Sequence, residues 1–147
     1  LSMIGLFNIF GTLTSGYLST KFSKKLILSF IYFARGIVIA LFIFLPPSPT
    51  LAVLFGITFG FLWLATVPPT AGIVGFIFGT KYIGLLYGIV FLSHQVGSFF
   101  GAYLGGVFKE VYGSYDYAWY VSIALSIFAG LVHLPINEKQ VKRIQTA

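Results

Sequence analysis

Charge is what this chain has least of. Nine of its 147 residues are Lys or Arg and three are Asp or Glu, 8% together. A soluble domain carries roughly a quarter, so these few cannot solvate a globular surface. Cysteine is absent, which excludes disulfides, thiol nucleophiles and thiolate metal sites. The three acids, Glu110, Asp116 and Glu138, all flank the ends of apolar runs, so no pair of carboxylates meets within a helix. No Gly-x-x-x-x-Gly-Lys-Ser/Thr loop is present to cradle phosphate, so no ATP site of that type belongs to the chain. No group of side chains has metal-ligand spacing. An enzyme is therefore not expected, and neither is a cofactor. The net charge of +6 does not make a nucleic-acid site, which needs a clustered basic face on a water-soluble fold. A basic leader is missing too. The only methionine, Met3, lies in an apolar run that already includes Leu1, whereas a signal peptide places positive charge before its apolar core. The chain reads as a piece of a longer membrane protein.

What fills the sequence is apolar: 58% of residues are hydrophobic and the mean hydropathy is +0.97. Five long runs stand out, at about Leu1 to Leu18, Leu26 to Leu45, Leu51 to Phe78, Ile83 to Phe108 and Ala118 to Ile136, with a tail over 137–147. A spanning helix needs about 20 such residues. The third and fourth runs exceed that, which implies tilt or a kink. Segments that cross lipid are helices or closed barrel strands, and these are too long and too continuously apolar for barrel strands. The expectation is an all-α membrane protein with five transmembrane helices.

The basic residues sort by connection. Lys21, Lys24 and Lys25 share the first, Pro46 to Thr50 carries none, and Lys81 marks the third. Lys109 is offset by Glu110 and Asp116 in the fourth, and Lys139, Lys142 and Arg143 close the tail. Lys and Arg loops stay in the cytoplasm. The first helix is then expected to run inward, its neighbours to alternate, and the tail to end in the cytoplasm, in the inner membrane of a cell. Tyr82, Tyr112, Tyr115, Tyr117, Trp119 and Tyr120 cluster near helix ends, where interfacial anchors belong.

Small residues recur at helical spacing. Ser93, Gly97, Gly101 and Gly105 line one face of the fourth segment, with Gly84 and Gly88 roughly opposite. Such faces let helix backbones approach closely in lipid, so this helix is expected between two neighbours. Gly56 and Gly60 make a similar stripe in the third segment, and Ser122, Ser126 and Gly130 in the fifth. Pro68 and Pro69 interrupt the third. Each proline removes an intrahelical bond, to the carbonyls of Leu64 and Ala65 respectively. The freed carbonyls need partners in protein or a water-lined cavity. Interrupted helices of this kind line transporter sites, and they also serve as packing kinks.

At Gly16-Tyr-Leu-Ser-Thr-Lys-Phe-Ser-Lys-Lys25 the chain resembles the major facilitator superfamily, whose cytoplasmic loop signature has the form Gly-x-x-x-Asp-Arg/Lys-x-Gly-Arg/Lys-Arg/Lys. Gly16, Lys21, Lys24 and Lys25 match, while Thr20 and Ser23 stand where Asp and Gly are usual. This fits the degenerate copy in the second half of the family fold. Gly97-Ser-Phe-Phe-Gly101-Ala-Tyr-Leu-Gly105-Gly106 looks like the family's Gly-x-x-x-Gly-Pro-x-x-Gly-Gly signature, with Ala102 for the proline. The resemblance implies helices eight to twelve of the six-helix C-terminal bundle, lacking helix seven. The runs Leu62 to Thr70 and Phe91 to Gly97 are similar to members near the monocarboxylate and oxalate/formate carriers. The resemblance also implies that Gly16, Lys21, Lys24 and Lys25 brace a cytoplasmic gate, and that Gly97, Gly101, Gly105 and Gly106 pack helices.

Candidate solute or coupling residues follow. Arg35 lies near the middle of the second helix, where an Arg costs about 2.5–3.5 kcal/mol on insertion scales. No acid of the chain lies at that depth, so its partner is backbone, the missing half, water or an anionic substrate. His94 and Gln95 sit midway along the fourth helix. Imidazole exchanges its proton near neutral pH, so His94 suits a carboxylate or proton coupling; a neutral histidine held by an interhelical bond is the other reading. Asn8, midway along the first helix, takes the same two readings. Trp63, Thr66 and Thr70 flank the prolines and are placed to line a pocket. His133, near the tail end of the fifth segment, reads as interfacial.

The expected function is secondary active transport of a small solute, a monocarboxylate or other organic anion, by alternating access around a midplane site. The expected driver is a proton gradient. The partners are then the lipid bilayer, the N-terminal half of the same chain, the solute and protons. The alternatives are an intramembrane enzyme or a structural or channel subunit without a transport cycle.

Overall fold

A computed structural model describes residues 2–141. Lys142 and Arg143, counted above in the basic tail, lie outside them. Six helices and no strands make up the described residues. They are α1 (Ser2–Lys21), α2 (Lys24–Phe44), α3 (Pro49–Trp63), α4 (Val67–Phe78), α5 (Ile83–Tyr112) and α6 (Asp116–His133). The chain is an all-α membrane protein.

Local chemistry sets the helix ends. Only Phe22 and Ser23 separate α1 from α2, so the two are antiparallel. Pro46 and Pro47 follow the end of α2 and cannot continue it. The Ser48 hydroxyl then accepts a 3.1 Å bond from the Leu51 N–H, with Pro49 in the first turn of α3, an N-cap arrangement. α5 stops at Gly113, whose φ of 72° is the left-handed geometry that glycine adopts without strain.

The third apolar run is two helices. The interruption falls at 64–66, upstream of Pro68 and Pro69, which occupy the first turn of α4. There a missing N–H leaves no intrahelical bond unmade, so the prolines begin a second helix rather than bend one.

Lipid tails are as apolar as leucine, so close packing rather than the hydrophobic effect holds such helices together. Large side chains on the outside, such as Leu13, Phe30, Phe44 and Leu125, are accordingly exposed. The tight seams are made of small residues. Between α1 and α3, Gly11 seats against the Phe61 carbonyl, and a methyl on Gly60 would lie 2.6 Å from Ile4 Cα. Between α2 and α6, the Ser29 hydroxyl donates to the Gly130 carbonyl at 2.7 Å, and Gly130 receives the Phe33 ring. The stripes at Gly56 and Gly60, and at Ser126 and Gly130, therefore serve packing. Two small buried clusters, Leu28 with Ile73 and Val74, and Ile31 with Leu62 and Ala65, tie α2 to α4 and to the interruption.

α5 differs. None of its residues is buried, and methyl groups on Gly97, Gly101, Gly105 and Gly106 would meet nothing within 4 Å. The flanked position expected for this helix does not occur among the described residues, because no neighbour lies on its glycine face. Three stretches are long and apolar enough to cross a bilayer: Lys24–Phe44, Pro49–Phe78 and Ile83–Tyr112. α1 and α6 are not among them. Ser and Thr residues such as Thr12, Thr14, Ser15 and Ser19 dilute α1, and Asp116 and His133 at its two ends dilute α6.

Candidate functional site

The interruption between α3 and α4 gathers most of the polar groups that the sequence singles out. A helix leaves its last carbonyls unpaired and concentrates partial negative charge there. At the end of α3 that charge meets Arg35. Its Nη2 donates to the Leu62 carbonyl at 2.7 Å and to the Trp63 carbonyl at 2.9 Å. The partner of this intramembrane cation is therefore backbone. Two charge-assisted bonds at about 1.5–3 kcal/mol each offset the about 2.5–3.5 kcal/mol insertion cost of an Arg. The Tyr32 ring lies 5.3 Å from the guanidinium carbon. Arg35 Nε is buried and has no hydrogen-bond partner.

Asn8 braces the interruption from the opposite helix. Its side-chain oxygen accepts from the Leu64 N–H at 2.9 Å. The Leu64 carbonyl, which Pro68 cannot reach, accepts from the Val67 N–H at 3.0 Å instead. Thr70 bonds the Thr66 carbonyl through both its N–H and its hydroxyl, at 3.1 and 2.7 Å. Thr66 and Thr70 thus complete the first turn of α4.

Two cavities border these groups. One, of about 290 Å³, is lined by Asn8, Ile9, Thr12, Leu13 and Leu64. The other, an open cleft of about 450 Å³, is lined by Phe55, Phe59, Trp63 and Trp119, with Ile4, Ile39 and Ser122. Its rings are ordered. Phe55 stacks on Phe59 with centroids 4.9 Å apart, Phe59 meets Trp63 at 5.0 Å, and Trp119 stands edge-on to Phe55 at 6.2 Å.

His94 and Gln95 are elsewhere. Both lie on α5 and both are exposed; the ring beside His94 is that of Phe91, at 6.1 Å. Asn8 and Arg35 meet the end of α3 beside Trp63, Thr66, Pro68, Pro69 and Thr70 form the start of α4, and His94 and Gln95 lie on α5, outside that group.

The basic loop touches the same region from the tail side. Gly16 seats on Pro68: a methyl on Gly16 would lie 3.7 Å from Pro68 Cβ. The Lys24 stem crosses Gly72, and its ammonium lies 5.2 Å from the Phe76 ring. Lys21 folds back over Tyr17 at 4.5 Å. Lys25 Nζ donates to the Leu134 carbonyl at 3.2 Å. A residue that sequence reasoning passed over completes this end. Glu138 Oε1 accepts from the Ser23 hydroxyl at 3.0 Å and from the Lys25 N–H at 2.6 Å. A carboxylate thus caps the N-terminus of α2, where the helix dipole favours an anion. The first turn of α2 has no acid of its own, and that lack was the available signal. The tail continues to a bond from the Val141 N–H to the Ile77 carbonyl, 2.9 Å. His133 was a second omission from the site. Its ring stacks on Tyr32 at 5.1 Å, and Tyr32 in turn lies beside Arg35.

Comparison with known proteins places these features. The sequence profile of the Major Facilitator Superfamily matches residues 1–147. An uncharacterised MFS-type transporter of Bacillus subtilis (strain 168), YcxA, is 30% identical over 138 residues, covering 89% of this chain and 33% of that protein. The chain thus spans about a third of the length of the curated relative it matches. No solved structure matches it significantly.

Proposed function

We propose, from the premise that this chain belongs to the Major Facilitator Superfamily, that it forms part of a secondary active transporter and not of an enzyme. The solute is a small organic anion, and alternating access moves it past the α3–α4 interruption. Arg35 carries the reading. It is a cation at mid-helix depth, held on open carbonyls, with a buried Nε–H still unpartnered. Nε is buried in this state, so a solute carboxylate pairs with it as the surrounding helices part during the transport cycle, and no acid of the chain competes for it. In this reading α1 and α6 cross the bilayer with the other helices, giving five crossings of the C-terminal half, and the tail lies in the cytoplasm. Protons drive uptake through His94, on the exposed face of α5.

The test is carboxylate uptake by the full-length protein in proteoliposomes. Arg35→Gln raises the KM for the anion at least tenfold; unchanged affinity in folded protein sinks the anion site. A pH gradient accelerates accumulation, and His94→Ala removes that acceleration. Accumulation indifferent to both the gradient and the substitution refutes coupling through His94.

A further inference from the structure

The transport reading leaves the 450 Å³ cavity without a role, and its chemistry narrows the solute. We infer that this cavity receives the apolar body of the transported anion, so that the solute is a carboxylate bearing an aromatic ring or a bulky branched chain. The inference rests on the Arg35 reading above and adds a second half to the same site.

The cation and the cavity share a wall. Trp63 belongs to both halves: its carbonyl accepts from Arg35, and its indole walls the cavity. Ile39, on the cavity wall, follows Arg35 by four residues on α2, one turn along the same helix face. Arg35 itself does not line the cavity; Trp63 and Ile39 stand between the two, so the inferred solute spans from the cation past these residues to the rings.

The lining sets the size and polarity of the guest. A volume of about 450 Å³ falls within the range of about 300–1,000 Å³ typical of ligand pockets. An anion of three or four heavy atoms would leave most of these ring faces uncovered. The Ser122 hydroxyl on the wall already donates to the Ala118 carbonyl at 2.8 Å, and apart from the two indole N–H groups the lining is apolar, so it suits a largely apolar guest. Four aromatic rings also suit a cation. Charge decides against one: Arg35 is the ionised neighbour, and the three acids of the chain all flank helix ends.

The two tryptophans of the chain, Trp63 and Trp119, both line this cavity, so its occupancy is readable by fluorescence. The full-length protein in nanodiscs is titrated with 3-phenylpropionate, acetate, 3-phenylpropionamide and decanoate, with Trp63→Phe and Trp119→Phe assigning the signal. Expected is saturable quenching by 3-phenylpropionate, at least tenfold weaker for the amide and for Arg35→Gln, and none by acetate at equal concentration. Ser122→Phe fills the cavity and abolishes the quench; Ile39→Trp does the same should the first variant fail to fold. Quenching by decanoate that is indifferent to Arg35→Gln makes the cavity a lipid-chain site and overturns the inference. Arg35-dependent uptake with equal KM for acetate and 3-phenylpropionate, unmoved by Ser122→Phe, overturns the cavity while leaving the anion site standing. Carboxylate uptake that ignores Arg35→Gln overturns both.

Discussion

Replacing Arg35 by methionine sets two opposed effects against each other, and their sizes make the outcome decisive. Methionine keeps an unbranched apolar stem and removes the guanidinium. The loss is two charge-assisted bonds, to the Leu62 and Trp63 carbonyls, about 3–6 kcal/mol together at about 1.5–3 each. The gain is relief of the insertion cost of an Arg at mid-helix depth, about 2.5–3.5 kcal/mol. The difference runs from about 0.5 kcal/mol of stabilisation to about 3.5 kcal/mol of destabilisation when these ranges are combined. Were the bonds worthless, the same change would stabilise the protein by about 2.5–3.5 kcal/mol. Reversible unfolding of the full-length protein in mixed micelles, followed by circular dichroism, separates the two signs. Asn8→Ala provides the companion, since Asn8 holds the Leu64 N–H at the same interruption. Groups that share one element couple in a double-mutant cycle by about 0.5–3 kcal/mol. An Arg35→Met protein more stable than the parent by about 2 kcal/mol or more, with Asn8→Ala strictly additive, would refute the brace; both figures lie outside the ranges just given.

Three further outcomes are expected. Gly11→Ala places a methyl on the Phe61 carbonyl and costs about 3 kcal/mol or more, at or beyond the top of the about 1–3 kcal/mol usual for overpacking, because the obstacle is backbone; micellar unfolding measures it, and a stability equal to the parent's contradicts the α1–α3 seam. Glu138→Gln weakens the bonds to Ser23 and the Lys25 N–H by about 1 kcal/mol, the difference between charged and neutral acceptors. Hydrogen exchange at the Lys25 amide then speeds up about fivefold, and no change would mean that the tail does not cap α2. In this cysteine-free chain, Lys21→Cys is labelled by a membrane-impermeant maleimide from the cytoplasmic side alone and Ser48→Cys from the outer side alone. Labelling of both from one side would invert or break the proposed topology.

Much of the architecture was legible because lipid imposes one solution on long apolar runs: a helix that satisfies its own backbone. The special role of the Pro68–Pro69 region was legible for the same reason, since a proline withholds a donor wherever it sits. The sequence did not disclose where the helix stops. That depends on what receives the last carbonyls of α3, and the receiver, Arg35, belongs to another helix 27 residues earlier in the chain. Arg35 could be recognised as needing a partner, yet backbone carbonyls carry no mark in the sequence. Gly11 escaped notice because its close neighbour is the Phe61 carbonyl, a contact set by helix crossing and by no spacing within α1. Glu138 escaped because its value lies in the unpaired N–H groups at the start of α2, more than a hundred residues away. His94 and Gln95 read as solute or coupling residues because polar side chains sit midway along an apolar helix. Among the described residues α5 has no neighbour on its glycine face, so nothing surrounds that pair.

Gly16 seated on Pro68 has a mechanical meaning. α1 and α3 are locked at backbone distance through Gly11 and Gly60, so they behave as one plank. α4 is a separate plank, tied at its far end to the tail through Ile77 and Val141. The joint between the planks is three residues long, and the first turn beyond it rests on the last turns of α1. The basic loop therefore meets α4 at more than one point, through Gly16 on Pro68 and through the Lys24 stem on Gly72, while Leu28 packs against Ile73 and Val74 just beyond.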